Sequence, residues 1–443
     1  FTIMKDKVSG NLSIIIFLIM LGMIVSLITK SGASRAYGEW ATRKIKSRRG
    51  ASFATSALGA LIFVDDYFNC LTVGTVMRPI TDRQKITRAK LAYIIDATAA
   101  PVCIIAPISS WAAAVTSSLP EDANINGFSL FLQTIPFNFY ALFTLAFLIW
   151  ICATDIDFFT MAKYNKHVEK SGKIDSNEEE STVIVGCGTV KDLLIPIFFL
   201  IISCITAMYY SGGGFEGVGI VDAFANCSAA DALVLGSFVA LVFTFLMYVP
   251  RKILTFGQFC ESFTEGFKAM VPAIFILTLA WTLSGICSED YLDLRGFVSS
   301  HIHGDAAISM FLPAIFFLIA LGIAFATGTS WGTFGILIPI AFSIFGTDVM
   351  LTITVSACLS GAVCGDHISP ISDTTILASA GAQCKHINHV STQIPYAVSV
   401  AVICFISYIA AGITQNGFIG LILGAILLVT FAVFITIKCK KKI

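Results

Sequence analysis

The sequence predicts an all-α integral membrane protein, organised as an inverted repeat with two opposed re-entrant hairpins and two broken helices. Three observations carry this reading. The 443 residues are 56% hydrophobic and only 13% charged, with a mean hydropathy of +0.84. A soluble domain carries about 25% charged residues, so charge this sparse cannot cover a globular surface and lipid is the solvent for most of the chain. Many stretches run without a charge for about 20 residues, the length that crosses a bilayer core. Finally, Ile368-Ser369-Pro370-Ile371-Ser372-Asp373-Thr374-Thr375 has a degraded twin in Ile105-Ala106-Pro107-Ile108-Ser109-Ser110-Trp111, both deep in apolar sequence.

Nine stretches are long enough to cross: 11–29, 91–118, 129–153, 192–210, 232–250, 269–287, 351–380, 392–412 and 417–437. Their direction follows from the Lys/Arg bias of short loops. The basic segment Arg43 to Arg49 and the stretch Arg78 to Lys90 are both expected on the cytoplasmic side. Between them, 51–77 is apolar but broken by Val64-Asp65-Asp66-Tyr67-Phe68-Asn69, which reads as a re-entrant hairpin with the two aspartates at its turn. Non-helical backbone at that depth is tolerated only inside protein or beside water.

Segment 91–118 then exits to an acidic loop (Glu121, Asp122), and 129–153 returns to 154–191, a long polar linker. Residues 211–231 and 288–306 are expected outside; Arg251, Lys252, Lys385 and the tail Lys438 to Lys442 inside. The segment 307–346, interrupted by Ala326-Thr327-Gly328-Thr329-Ser330-Trp331-Gly332, lies between two outside links and reads as a second hairpin entering from the opposite face.

A shift of 263 residues carries Pro107, Ile108 and Ser109 onto Pro370, Ile371 and Ser372, and Asp65 onto Gly328. The repeat divides the chain into 1–153, a cytoplasmic linker 154–191, and 192–443. The second half has three spans before its hairpin and the first half one, so about two helices are expected ahead of Phe1. Inverted repeats with paired helix breaks are the sequence signature of alternating-access carriers, whose ion and substrate sites lie at those breaks.

Carboxylates inside lipid are expensive and mark ion or proton pathways. Asp65 and Asp66 are adjacent and repel, which a cation between them relieves; a helix cap or an arginine partner is the other reading. Asp96, inside the first broken helix, is read either as a proton carrier or as a buried hydrogen-bond acceptor. Around the second break, Pro370 removes a donor, and Asp366, Ser372, Asp373 and Thr374 supply hard oxygen ligands suited to Na⁺. Capping of the following helix by Ser372 or Asp373 is the plain alternative. His367 titrates near neutral pH and is read as a proton carrier or as structural; His301, His303, His386 and His389 are expected in loops without a specific role. Gly328, Thr329, Ser330 and Thr333 bring backbone and hydroxyls to the second hairpin turn, for ligand approach or close helix packing.

No Walker-type loop, catalytic triad or zinc signature appears, so neither ATP-driven transport nor an enzyme is indicated. The 13 cysteines are scattered without paired spacing and read as small reduced hydrophobes. Lys+Arg and Asp+Glu balance at 28 each, which points to no nucleic-acid partner.

Phe63 to Asn69, Ala106 to Trp111 and above all Gly365-Asp366-His367-Ile368-Ser369-Pro370-Ile371-Ser372-Asp373-Thr374-Thr375 resemble the NhaC family of Na⁺/H⁺ antiporters over roughly residues 12–437. The resemblance implies a scaffold domain and a transport domain, a homodimer formed through the scaffold, elevator-like movement, and a multi-pass place in a bacterial inner membrane. It implies Na⁺ and H⁺ as coupling ions, no cofactor, and Na⁺ at Asp65, Asp66 and Asp373. Asp96, Asp366 and His367 would support that site, with further ion or substrate contacts at Asn69, Pro107, Ser109, Ser110, Gly328, Thr329, Ser330, Ser372 and Thr374. Members of the family also exchange malate for lactate or move amino acids. A coupled carrier of an amino acid or small carboxylate is therefore the alternative.

Overall fold

Runs of Leu, Ile, Ala and Phe, several opened by serine or threonine caps, make the described residues mainly helical, and no strand occurs among them. The structure is a computed structural model. It describes residues 1–107, 109–119, 125–171, 186–219, 223, 227–286, 290–292, 306–346 and 349–440. Glu121, Asp122, His301, His303, Asp348 and residues 172–185 of the 154–191 linker lie outside them.

In chain order the helices are α1 (Thr2–Gly10), α2 (Leu12–Lys30), α3 (Ala33–Lys44), α4 (Arg48–Leu61), α5 (Asp66–Arg83), α6 (Arg88–Thr98) and α7 (Ala100–Cys103). Next come α8 (Ser110–Thr116), α9 (Gly127–Thr134), α10 (Phe139–Thr154), α11 (Phe159–Ser171), α12 (Val190–Ser211), α13 (Ala229–Tyr248) and α14 (Phe256–Ile286). The last are α15 (Ala306–Thr327), α16 (Ser330–Phe345), α17 (Val349–Ile368), α18 (Asp373–Ala382), α19 (His386–Thr414) and α20 (Gly417–Lys440). Among the described residues, 8 segments are long and apolar enough to cross a membrane. Helix α20 turns Ile422, Ile426, Val429, Val433 and Ile437 outward in one stripe; a helix that exposes such a face is at rest in lipid, not in water.

Four expectations change. The span 129–153 is two helices, because Pro136 and a single 3₁₀ turn, Ile135–Phe137, separate α9 from α10. The broken helix 91–118 has a further kink at Ala99 (φ −84°, ψ −96°), two residues before Pro101. Residues Phe159–Ser171 of the polar linker are helical. The first arm of the second hairpin, α15, has 22 residues and is long enough to cross by itself, whereas α4 has 14.

The helices divide into two compact units that do not follow the repeat boundaries: residues 1–44, 107–131 and 180–285, and residues 45–106, 132–179 and 286–443. In the first unit, α2 meets α14 through backbone contact at Gly22, where a Cβ would lie 2.4 Å from the Gly266 carbonyl oxygen. Lys30 pairs with Glu265 (2.9 Å) and Arg251 with Asp192.

The second unit holds both hairpins. Asn69, at the start of α5, lies against Thr98 at the end of α6 and against Gly59 and Ile62 at the end of α4. The chain therefore turns back on itself at residues 62–65. In the other hairpin, a Cβ at Gly361 would meet the Phe317 carbonyl oxygen at 2.3 Å and one at Gly365 the Leu321 carbonyl oxygen at 2.3 Å, so α15 and α17 run parallel and α16 returns between them. The turn is made at Gly328, whose φ of +69° suits glycine. Every residue of α17 from Met350 to His367 is buried, and the helix forms the centre of this unit.

Candidate functional site

Both hairpin turns and the second helix break converge in the second unit. Helix α17 ends at Ile368 and α18 starts at Asp373, with Pro370 between them. Ser372 caps α18, accepting the Thr375 N–H (3.2 Å). At Gly328 a Cβ would lie 2.5 Å from the Ile371 carbonyl oxygen, so the second turn touches the break backbone to backbone. Ser369 Oγ donates to the Phe325 carbonyl (2.8 Å) and Ser330 Oγ to that of Ala362 (3.1 Å), fixing the same junction.

The first turn arrives through α5. Tyr67 OH donates to Asp373 Oδ2, and further along a Cβ at Gly74 would lie 2.3 Å from the Gly381 carbonyl carbon. With Tyr67 opposite Asp373 and Gly74 opposite Gly381, α5 and α18 run parallel in close contact. Two helix N-termini, and the positive ends of two dipoles, thus face one place. Asp66 and Asp373 stand in their first turns.

Around that place the carboxylates are held unequally. Asp65 and Asp66 are buried; Asp66 Oδ1 accepts the Tyr67 N–H (3.2 Å). Asp373 Oδ1 accepts the Thr374 N–H (2.8 Å), and Asp373 is only partly buried. Thr374 Oγ1 donates to Asp366 Oδ2, while Asp366 Oδ1 has no hydrogen-bond partner among the described residues. No group of three His, Cys, Asp or Glu side chains among the described residues is arranged to hold a metal ion. An ion at Asp373 would therefore draw further ligands from hydroxyls and carbonyls.

Asn69 anchors the first turn through its amide nitrogen, while its Oδ1 has no hydrogen-bond partner among the described residues. Its amide nitrogen reaches the carbonyls of Gly59 (2.7 Å), Ile62 (2.9 Å) and Thr98 (3.0 Å), which the α4 turn and the Ala99 kink release. Asn69→Ala is expected to lower stability by about 2–3 kcal/mol, since buried carbonyls without donors cost about 1–3 kcal/mol each. Heat-step size-exclusion of the detergent-purified protein measures this; an unchanged midpoint would show that the amide is dispensable.

Thr329, like Ser372, is a cap: its hydroxyl accepts the Gly332 N–H (3.3 Å) at the start of α16. Pro107, Ser109 and Ser110 fall in the first unit, where Ser109 caps α8 by accepting the Ala112 N–H (3.1 Å). The shift of 263 carries Ser110, the first residue of α8, onto Asp373, the first of α18, and Asp66, the first of α5, onto Thr329, one residue before α16, so the helix starts recur within one residue in both halves.

Beside the break, Asp96 Oδ2 accepts from Gln393 Nε2 (2.6 Å), Thr375 Oγ1 (3.1 Å) and His389 Nε2 (3.3 Å). Gln393 Nε2 also donates to the His367 carbonyl (2.8 Å), and Tyr140 OH pairs with His367 Nδ1 (3.0 Å). His389 and Gln393 were not foreseen. His389, expected in a loop, is buried on α19. A polar face at His389 and Gln393, four residues apart in an apolar helix, was the available signal.

The chain matches the family model described as the Na⁺/H⁺ antiporter family over residues 121–413. It is 38% identical to an uncharacterized protein of Haemophilus influenzae over 439 residues, covering 96% of this chain and 83% of that one. It is 28% identical to the malate-2H⁺/Na⁺-lactate antiporter of Bacillus subtilis over 209 residues, 42% of this chain and 43% of that protein. The fold is similar to that of the YdaH transporter of Alcanivorax borkumensis, with a TM-score of 0.53 at 13% identity, covering 96% of this chain and 87% of the other. Together these make the chain a multi-pass membrane transporter of antiporter type, a member of the Na⁺/H⁺ antiporter family.

Proposed function

We propose that this protein is a secondary active Na⁺/H⁺ antiporter working by alternating access, with Na⁺ bound at the junction of the first hairpin turn and the second helix break. The observation that carries the reading is the parallel contact of α5 and α18. It sets Asp66 and Asp373 at adjoining helix starts and joins them through Tyr67. Asp366, with one oxygen unpartnered, and the hydroxyls of Ser372 and Thr374 are further hard ligands there. Carboxylates and hydroxyls are the ligand types that hard cations select.

The recurrence of helix starts at nearly one shift supports the inverted repeat, in which the two hairpins would be re-entrant from opposite faces. The second unit, which carries both hairpins, would be the transport domain. The first would be the scaffold, through which two copies pair in a bacterial inner membrane while the transport domain moves as an elevator.

A second reading has its own support. The similarity to a malate/lactate antiporter, and two helix N-termini suited to an anionic group, favour exchange of a small carboxylate driven by the same ions. The two readings separate in liposomes with a pH dye trapped inside and the potential clamped. Prompt alkalinisation of the lumen on addition of external Na⁺ alone establishes Na⁺/H⁺ exchange. A flat trace that responds only when malate, lactate or an amino acid is added establishes the carboxylate or amino-acid carrier.

A further inference from the structure

We propose that His386 is a positioning residue for the ion site: it holds the peptide between Pro370 and Ile371 in the orientation that starts α18 and aims the Asp373 carboxylate. The proposal deepens the transport reading above and rests on it for the ion, while the clamp itself stands on its own geometry.

His386, expected in a loop without a role, is the first residue of α19. Both of its ring nitrogens are spent on other elements. Nε2 lies 2.7 Å from the Pro370 carbonyl oxygen. A carbonyl oxygen only accepts, so Nε2 carries the hydrogen and donates it. Nδ1 pairs with Ser379 Oγ (3.1 Å), which itself lies 2.8 Å from the Thr375 carbonyl oxygen. The ring is thereby fixed at both nitrogens, one on the break and one on α18.

The peptide that His386 reaches is held at its opposite edge as well. The Ile371 N–H donates to Ser369 Oγ (3.3 Å), and Ser369 Oγ donates to the Phe325 carbonyl (2.8 Å). A peptide unit is planar, so bonds at its C=O and at its N–H fix the rotation of the whole unit. Pro370 and Ile371 are exposed, so the orientation of this peptide falls to its polar atoms. The next residue, Ser372, caps α18 through the Thr375 N–H (3.2 Å), and Asp373 follows at once. A rotation of the 370–371 plane swings the cap, and with it the carboxylate.

A second side chain of α19 works beside it. His386 and Gln393 are seven residues apart, which places them on one face of the helix. Gln393 Nε2 donates to the His367 carbonyl (2.8 Å), one of the carbonyls that the end of α17 leaves without an intrahelical partner. One face of α19 therefore splints the break from both sides, Gln393 on the end of α17 and His386 on the link into α18. Gln393 is buried and also serves Asp96, whereas His386 is only partly buried. Replacing His386 opens no core cavity, so it isolates the clamp.

The experiment uses three variants of the full chain. His386→Phe keeps a flat ring and loses the donor, His386→Ala removes both, and His386→Gln keeps an amide N–H at about the reach of Nε2. In liposomes with the trapped pH dye, His386→Phe and His386→Ala are expected to raise the half-saturating Na⁺ concentration by about 3- to 10-fold, the worth of one hydrogen bond. The rate at saturating Na⁺ should stay near that of wild type, and His386→Gln should recover most of the affinity. In parallel, hydrogen exchange is followed by mass spectrometry at the Thr374, Thr375 and Ile376 amides, which bond Asp373 Oδ1, Ser372 Oγ and the Ser372 carbonyl. Exchange there should quicken in His386→Phe and His386→Ala and match wild type in His386→Gln. An active wild type with unchanged half-saturation in His386→Phe and His386→Ala would overturn the proposal, as would a loss of maximal rate alone or a His386→Gln that behaves like His386→Ala. Failure of the transport reading looks different: a flat wild-type trace with the exchange pattern as expected removes Na⁺/H⁺ exchange and leaves His386 as the clamp of the α18 start.

Discussion

Replacing Asp373 with asparagine is expected to abolish Na⁺-driven proton movement in liposomes while the protein remains folded. The side chains are nearly the same size; the asparagine amide oxygen can still accept the Thr374 N–H that Asp373 Oδ1 takes, and its amide nitrogen can donate to the Tyr67 hydroxyl oxygen that now donates to Asp373 Oδ2. Only the charge goes. A hydrogen bond or ligand contact to a charged group contributes about 1.5–3 kcal/mol, so Na⁺ affinity should fall by about 10- to 100-fold, and a neutral side chain cannot exchange Na⁺ for H⁺. Tyr67→Phe provides the contrast: it removes the donor and keeps the charge, so transport should weaken but persist. The check is the Na⁺ dependence of the dye response, with size-exclusion profiles of each variant. Wild-type exchange in Asp373→Asn would remove Asp373 from the ion site.

The second large effect is expected far from that site in function, at Lys90. This lysine has 0% relative exposure and reaches Asp155 Oδ1 (2.7 Å) and Asp157 Oδ2 (3.0 Å). Asp155 also forms an ion pair with Arg48 (2.9 Å); Asp157 accepts from Asn165 Nδ2 (2.8 Å) and Tyr396 OH (3.1 Å). The network ties α4, α6, the α10–α11 link and α19 together within the second unit. Lys90→Met keeps the apolar stem and deletes the charge, leaving two carboxylates short of their cation. Breaking a buried pair from one side costs about 3–5 kcal/mol. The lower end applies here, because Arg48, Asn165 and Tyr396 remain. Adding Asp157→Asn to Lys90→Met should recover part of the loss, since it deletes a charge that Lys90 no longer neutralises. Thermal midpoints of the detergent-purified variants measure both steps; a midpoint of Lys90→Met equal to wild type would show that the lysine is not needed to neutralise the pair.

Whichever organic or inorganic substrate is carried, the two predictions report on different things. Asp373 tests the chemistry of the site, and Lys90 tests the frame that holds α6, and hence Asp96, in place.

Much of this protein is written locally in its sequence. The interruptions at residues 105–109, 328–329 and 369–372 carry proline, glycine and hydroxyl caps, which act within a turn of themselves, and that at 62–65 is marked by the adjacent Asp65 and Asp66. They were therefore legible, as were the apolar spans between them. The twin helix starts at Ser110 and Asp373 follow from the same local rules. The break inside 129–153 escaped notice although Pro136 was visible, because a single proline in an apolar run reads equally as a kink in one helix. What no window of sequence contains is the pairing of distant polar groups. His389 and Gln393 meet Asp96 across 293 and 297 residues, and Tyr67 meets Asp373 across 306. Lys90, read as one more cytoplasmic charge, is buried against two aspartates more than 60 residues on. The sequence by itself determined an all-helical membrane chain and where its helices break, since backbone propensity and burial in lipid are set by neighbouring residues. Tertiary structure alone decided which carboxylates face which partners, because a buried charge is tolerated only where packing from elsewhere in the chain delivers its counter-group.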